Sequence, residues 1–194
     1  MAKRNLHVLF LGYTESETRI IQALRKFGCT VDAWTGKINN LNNYDFVISF
    51  GYKYILTKET LLTAKRKPIN LHISYLPFNR GFHPNFWAHF DGTPSGVSIH
   101  YIEEGIDTGD IIFQKKVKFH SHEKTFHQTW TRLKFEIEEL FIINIDKIIL
   151  NKFSVIAQQE GGTFHLKSDL PKEFLGWDSD ITKEIERLRN ITFE

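Results

Sequence analysis

Short apolar runs alternating with segments of helical periodicity predict an α/β fold: a Rossmann-like, doubly wound, mostly parallel sheet with a short C-terminal extension. Three observations carry that expectation. Leu6 to Leu11 is an unbroken apolar run ended by Gly12, as suits a strand buried on both faces of a parallel sheet. Ile20, Ile21, Leu24 and Phe27 then recur at helical spacing, and Gly28 closes them. Asp45 to Phe50 repeats the apolar run and is turned by Gly51, so both glycines fall at strand carboxyl ends, outside which such sheets bind ligands.

The remaining elements follow in order. Thr14 or Ser16 is expected to cap the first helix, and Thr30 to Trp34 forms a second strand before a polar loop, Lys37 to Asn43. Thr57 to Lys65 is a short helix, and Ile69 to Ile73 has the length of a strand. Leu76-Pro77 and Arg80-Gly81 force a loop that leads to another short helix. Gly96 to Ile102 alternates Val97, Ile99 and Tyr101 with smaller or polar partners, and Ile111 to Val117 is a further strand. A long amphipathic helix is expected over about Glu123 to Leu150, with Phe126, Trp130, Leu133, Ile137, Leu140 and Phe141 along one side. Its length leaves room for a subunit contact and hence a homodimer. Val155 to Gln159 reads as a strand, Gly161 to His165 as a glycine-hinged loop that is either a turn or a reach toward substrate. The helix from Trp177 to Arg189 is opened by Asp178 or Ser179.

Composition narrows the function classes. At 194 residues the chain suits one domain with an appendage. Its net charge of +2, with both signs interspersed, offers no footprint for long nucleic acid. The single cysteine, Cys29, precludes an intrachain disulfide and suits a reducing compartment. No apolar run approaches the ~20 residues of a membrane span. The opening MAKRNLHVLFLGYTESE lacks a small-residue cleavage site, so the expectation is a cytoplasmic protein beginning with a strand. Nine histidines raise the question of a metal, but His120-Ser121-His122 has no H-E-x-x-H or cysteine set beside it, and none is expected.

Chemistry concentrates between Asn70 and Asp110. Asn70 and His72 stand two apart, so on a strand both side chains leave the same face. Asp107 sits in the tight loop Gly105-Ile106-Asp107-Thr108-Gly109-Asp110. Each has an ordinary reading when taken alone, as a strand-end hydrogen bonder, a satisfied core histidine and a turn acid. Together an amide, an imidazole and a carboxylate are what acyl transfer to an amine needs.

The frame N-x-H-x-S-x-L-P-x-x-R-G followed by G-I-D-T-G-D resembles the catalytic core of the folate-dependent formyltransferases, and the similarity runs from about residue 6 to about 150. The resemblance implies a catalytic domain over 1–150, an extension over 151–194, and Asn70, His72 and Asp107 as the catalytic set. It further implies N10-formyltetrahydrofolate as formyl donor. The pterin would lie against Tyr54, Ile55 and Leu56, and the loop with Ile102, Glu103, Gly105 and Ile106 would close the other side; from the residues alone, Tyr54 to Leu56 reads equally as core. Gly12, Tyr13, Thr14, Lys53 and Arg80 are candidate contacts to the acceptor. Gly12 to Ser16 is neither G-x-G-x-x-G nor a Walker loop, and reads as a plain turn or as amides that receive a substrate phosphate.

Amine formylation assigns roles within that set. Asn70 and His72 are expected to donate to the carbonyl oxygen as it gains charge, at about 3 kcal/mol each, and Asp107 to take the proton shed by the amine. Arg80-Gly81-x-x-Pro84-Asn85-x-Trp87 is similar to the sugar N-formyltransferases, so the expected acceptor is a dTDP-, UDP- or GDP-linked amino sugar. The alternatives are another small amine, as in the glycinamide ribonucleotide enzymes, or a non-catalytic relative that binds folate or a nucleotide sugar.

Overall fold

The structure, a computed structural model, describes residues 5–192; the basic flank at residues 1–4 lies outside them. A six-stranded sheet forms the centre. Its strands are β1 (His7–Gly12), β2 (Thr30–Trp34), β3 (Phe46–Phe50), β4 (Ile69–His72), β6 (Gly96–Tyr101) and β7 (Ile111–Lys116), in the order β2-β1-β3-β4-β6-β7. The first four are parallel, and β6 runs antiparallel to both β4 and β7, which gives the mostly parallel Rossmann-like sheet expected. Two-residue strands β5 (Arg80–Gly81) and β8 (Phe164–His165) pair separately in parallel.

The apolar runs are continuous because the sheet is covered on both sides. Val8 and Phe10 pack with Ile48 under helices α1 (Ile20–Phe27), α4 (Phe126–Ile143) and α5 (Ile145–Ile149), while Leu9, Leu11 and Val47 join Leu41 and Leu56 on the opposite face near α2 (Lys58–Leu62). A third cluster joins Phe86 and Trp87 of α3 (Pro84–Phe90) and Phe126 to Ile185 and Leu188 of α6 (Ile181–Thr192). The segment beyond residue 150 thus completes part of the core. Among the described residues, no helix is long and apolar enough to cross a membrane.

Several boundaries differ from expectation for local reasons. α1 starts at Ile20 with no side-chain cap, because Glu17 has captured Thr14: its carboxylate accepts from the Thr14 amide at 2.8 Å and hydroxyl at 2.7 Å. The long helix breaks at Asn144, whose side-chain amide turns back onto the Leu140 carbonyl at 2.9 Å. Residues 155–159 form no strand, only a bridge between Ile156 and Ile111. At α6, Asp180 accepts from the Lys183 amide at 3.1 Å, so the opening cap falls on it and not on Asp178 or Ser179.

Candidate active site

The residues expected to meet do converge. β4 is antiparallel to β6 with Asn70 opposite His100, so Asn70 and His72 leave its carboxyl end on one face while the chain after β6 returns Asp107 to them. The Asn70 Nδ2 donates to Asp107 Oδ1 at 3.2 Å, and His72 Nδ1 lies 3.6 Å from Oδ2. His100 is the partner that sequence reasoning missed: its Nε2 stands 3.4 Å from Asp107 Oδ1 and 3.3 Å from Asn70 Nδ2. Its position after Ser98, on the side of β6 away from Val97 and Ile99, was the available signal.

Backbone groups fix the remaining geometry. Gly81 donates its amide to Asp107 Oδ2 at 2.9 Å; at φ +90°, a Cβ there would come within 2.3 Å of the His165 carbonyl oxygen, so only glycine fits. Asp107 itself has a left-handed backbone, φ 53°. Burial alone would raise its pKa, but the His72 and His100 rings and the Gly81 amide outweigh that and hold the carboxyl well below the usual carboxylate range. It is therefore ionised wherever the protein is folded near neutral pH.

The imidazoles are oriented from behind. His72 Nε2 is 3.0 Å from the carbonyl oxygen of Asn79, so it carries its proton there; His100 Nδ1 does the same toward the Tyr101 carbonyl at 2.8 Å. Asn79, fully buried at φ 56°, is pinned by its own side chain between Thr93 and Thr163. This departs from the arrangement expected of the set, in which both Asn70 and His72 point donors at a substrate oxygen. Asn70 Nδ2 is turned onto the carboxylate and His72 Nε2 onto backbone, so the His72 nitrogen facing the acid is Nδ1.

The expected donor slot is bounded by two facing loops. Leu56 is buried with Ile102 beside it, and Lys58 bridges to Glu104 at 3.1 Å, while Lys67 pairs with Glu103. Tyr54 and Ile55 project next to them at 46% and 67% exposure, the Tyr54 ring edge-on to Tyr52. Gly105 is exposed, and Ile106 is half-buried in the same loop.

The residues expected to meet the acceptor differ in how open they are. Gly12 brings Tyr13 within a 2.9 Å amide bond of the Phe50 carbonyl, and the Tyr13 ring packs edge-on against Phe50. The Thr14 amide is already paired with Glu17, which puts a carboxylate where the turn would meet a phosphate; Lys53 is exposed nearby, close enough to help lower the pKa of Glu17. Arg80 is half-buried, and its Nε has no partner. A cleft of about 410 Å³ lies between Ile73, His83, Phe86, Trp130 and Trp177, and none of Asn70, His72, His100 or Asp107 lines it. Burial and Lys167 both push the His83 pKa down, so that wall of the cleft is neutral. Among the described residues, no group of three or more His, Cys, Asp or Glu side chains is placed to hold a metal ion.

A Rossmann-like sheet carrying an amide, two imidazoles and an ionised acid at the end of one strand is a framework suited to acyl transfer. Residues 18–145 match the model of the formyl transferase family, and the chain belongs to that family. It is 38% identical to the formyltransferase PseJ from Anoxybacillus kamchatkensis, whose crystal structure contains UDP-4,6-dideoxy-4-formamido-L-AltNAc and tetrahydrofolate; the two superpose with a TM-score of 0.85, covering 91% of this chain and 96% of that one. A 4-N formyltransferase from Francisella tularensis shares the fold at a TM-score of 0.72 and 23% identity, covering 84% and 77%. The methionyl-tRNA formyltransferase of Thermodesulfovibrio yellowstonii is 32% identical over 161 residues, 81% of this chain and 51% of that protein. The chain thus spans about half the length of the curated relatives it matches.

Proposed function

We propose that this protein is an N-formyltransferase that moves a formyl group from N10-formyltetrahydrofolate to the amine of a nucleotide-linked amino sugar. The observation that carries the reading is the nearly buried, ionised Asp107 set between Asn70, His72 and His100. Similarity to PseJ along nearly all of that enzyme supports the sugar acceptor over tRNA, as does a net charge of only +2.

The donor supplies an electrophilic formyl carbon, and the slot between Tyr54 to Leu56 and Ile102 to Ile106 suits its flat ring. The chain's residues do the rest. The neutral amine forms a C–N bond to the formyl carbon and sheds a proton that Asp107 accepts directly or through water; the bond from that carbon to N10 breaks, and N10 takes that same proton from Asp107. The Asn70 amide, released from the carboxylate as Asp107 is protonated, swings its donor to the oxygen where charge builds, while His72 stays beside the acid through Nδ1. We assign Arg80, half-buried and next to Gly81, to the acceptor through its guanidinium.

The test is incubation with N10-formyltetrahydrofolate and separate acceptors: UDP- and dTDP-linked amino sugars, glycinamide ribonucleotide and methionyl-tRNA. Release of tetrahydrofolate with a nucleotide sugar alone is the expected result. Turnover only with methionyl-tRNA or glycinamide ribonucleotide would overturn the acceptor, and none with any of them would favour a binding protein.

A further inference from the structure

We propose that Gln158, in the segment beyond α5, is a positioning residue that holds the Asp107 loop in its working conformation. Its side-chain nitrogen lies 3.1 Å from the Asp107 carbonyl oxygen and 2.8 Å from that of Gly109. Both neighbours can only accept, so the atom there is the donating Nε2 and both of its protons are used. The Gln158 backbone amide adds a bond to Asp110 Oδ1 at 3.4 Å, and two residues earlier Ile156 exchanges backbone bonds with Ile111 at 2.8 and 2.9 Å.

The pattern of exposure singles this residue out. From 154 to 162 every residue is exposed except Gln158, so one side chain anchors an otherwise solvated stretch, and it does so on the loop that carries the acid. The same loop lies tight against the end of β6, where a Cβ on Gly109 would sit 2.0 Å from the Tyr101 carbonyl oxygen. Asp107 adopts φ 53°, a backbone region that a non-glycine residue keeps only when its surroundings impose it. Gln158 supplies that constraint at the residue's own carbonyl, and Gly81 supplies it at the carboxylate. Five residues on, Thr163 accepts from the Asn79 amide at 2.8 Å and donates to Asn79 Oδ1 at 2.9 Å, behind His72. One strap of chain thereby sets the backbone behind both the acid and the imidazole.

The kinetic part of the test rests on the formyl transfer proposed above; the exchange part does not. Gln158→Met keeps the length and removes the donor, and Gln158→Glu offers a carboxylate that cannot donate to a carbonyl. With N10-formyltetrahydrofolate and a UDP-linked 4-amino sugar, each variant is expected to lose about 30-fold in kcat with the donor KM within about twofold, since a displaced acid slows chemistry more than binding. In the same variants the Gly81 amide, followed by NMR, is expected to exchange its hydrogen at least about tenfold faster, while amides of β1 and β3 keep their rates. If the unaltered protein turns over no acceptor, the Gly81 exchange rate alone decides. A Gly81 amide as protected as in the unaltered protein, a kcat loss below about threefold, or a uniform rise in exchange across β1 and β3 would overturn the proposal.

Discussion

Asp107 is a charged group almost out of solvent, and its use depends on who shares it. Asn70 and His100 meet Oδ1, while His72 and the Gly81 amide meet Oδ2, so both oxygens are claimed. Asn70 and His72 were legible because a spacing of two on a strand has one geometric meaning. His100 was not, because its place opposite Asn70 depends on the register of an antiparallel pair whose strands lie far apart in sequence. Asn79, Gln158 and Thr163 were invisible for the same reason: their roles are bonds to backbone across the fold, which no local pattern records. His100→Phe leaves Asp107 Oδ1 held by the Asn70 amide alone. Turnover is expected to fall by on the order of 10²-fold with the fold intact; steady-state kinetics showing an unchanged kcat would remove His100 from the site.

Helices and strands were read well where periodicity is long and poorly where a single side chain redirects the backbone. β1, β3 and β7 lie where their apolar runs put them, give or take a residue. The start of α1 and the break before α5 were missed because Glu17 and Asn144 bond nearby backbone in preference to continuing a helix. β5 and β8 were missed because two residues carry no pattern. Between α1 and α4 the tie is Glu138, which accepts from Thr18 and Arg19 at 2.9 Å and from Lys134 at 3.0 Å. Burial works to raise its pKa, and those partners prevail and lower it. Glu138→Ala leaves the buried Thr18 hydroxyl without its acceptor, while Arg19 keeps Glu139 and Lys134 keeps the Glu17 carbonyl, and is expected to cost roughly 1–3 kcal/mol in urea unfolding; a loss under about 0.5 kcal/mol would mean the network is ornamental to stability.

His89 on α3 gives the helix packing a pH dependence. Burial beside Phe119 and Phe126 pushes its pKa down to about 4, against an unfolded value of about 6.5. Between those values the unfolded chain binds the proton and the folded chain does not, so stability falls as pH drops from about 6.5 to about 4 and levels off below. His89→Gln should therefore flatten the decline, sparing up to roughly 2 kcal/mol at pH 5 relative to pH 7.5. Denaturant midpoints that fall equally in both proteins would show that other groups set the acid limb.

Considered entire, the molecule is a sheet whose site is finished by the chain that follows it. Ile185 and Leu188 cover Phe86, Trp87 and Phe126, while Gln158 and Thr163 reach the backbone behind Asp107 and His72. A chain ended at Leu150 is expected to lose more than about 3 kcal/mol of stability from the uncovered aromatic cluster alone, and to bind an apolar dye that the full chain excludes. The alternation of strands and helices, and with it the fold class, was plain in the sequence; this dependence on residues 151–192 was not, since that stretch has little periodicity before α6. The central claim is that Asp107, between Asn70 and His72, takes the proton when a formyl group passes to an amine. Single-turnover formylation of a UDP-linked 4-amino sugar by the unaltered protein and by Asp107→Asn measures it most directly. The variant should bind N10-formyltetrahydrofolate as before and form product at least about 10³-fold more slowly, whereas formylation at the unaltered rate would contradict the account.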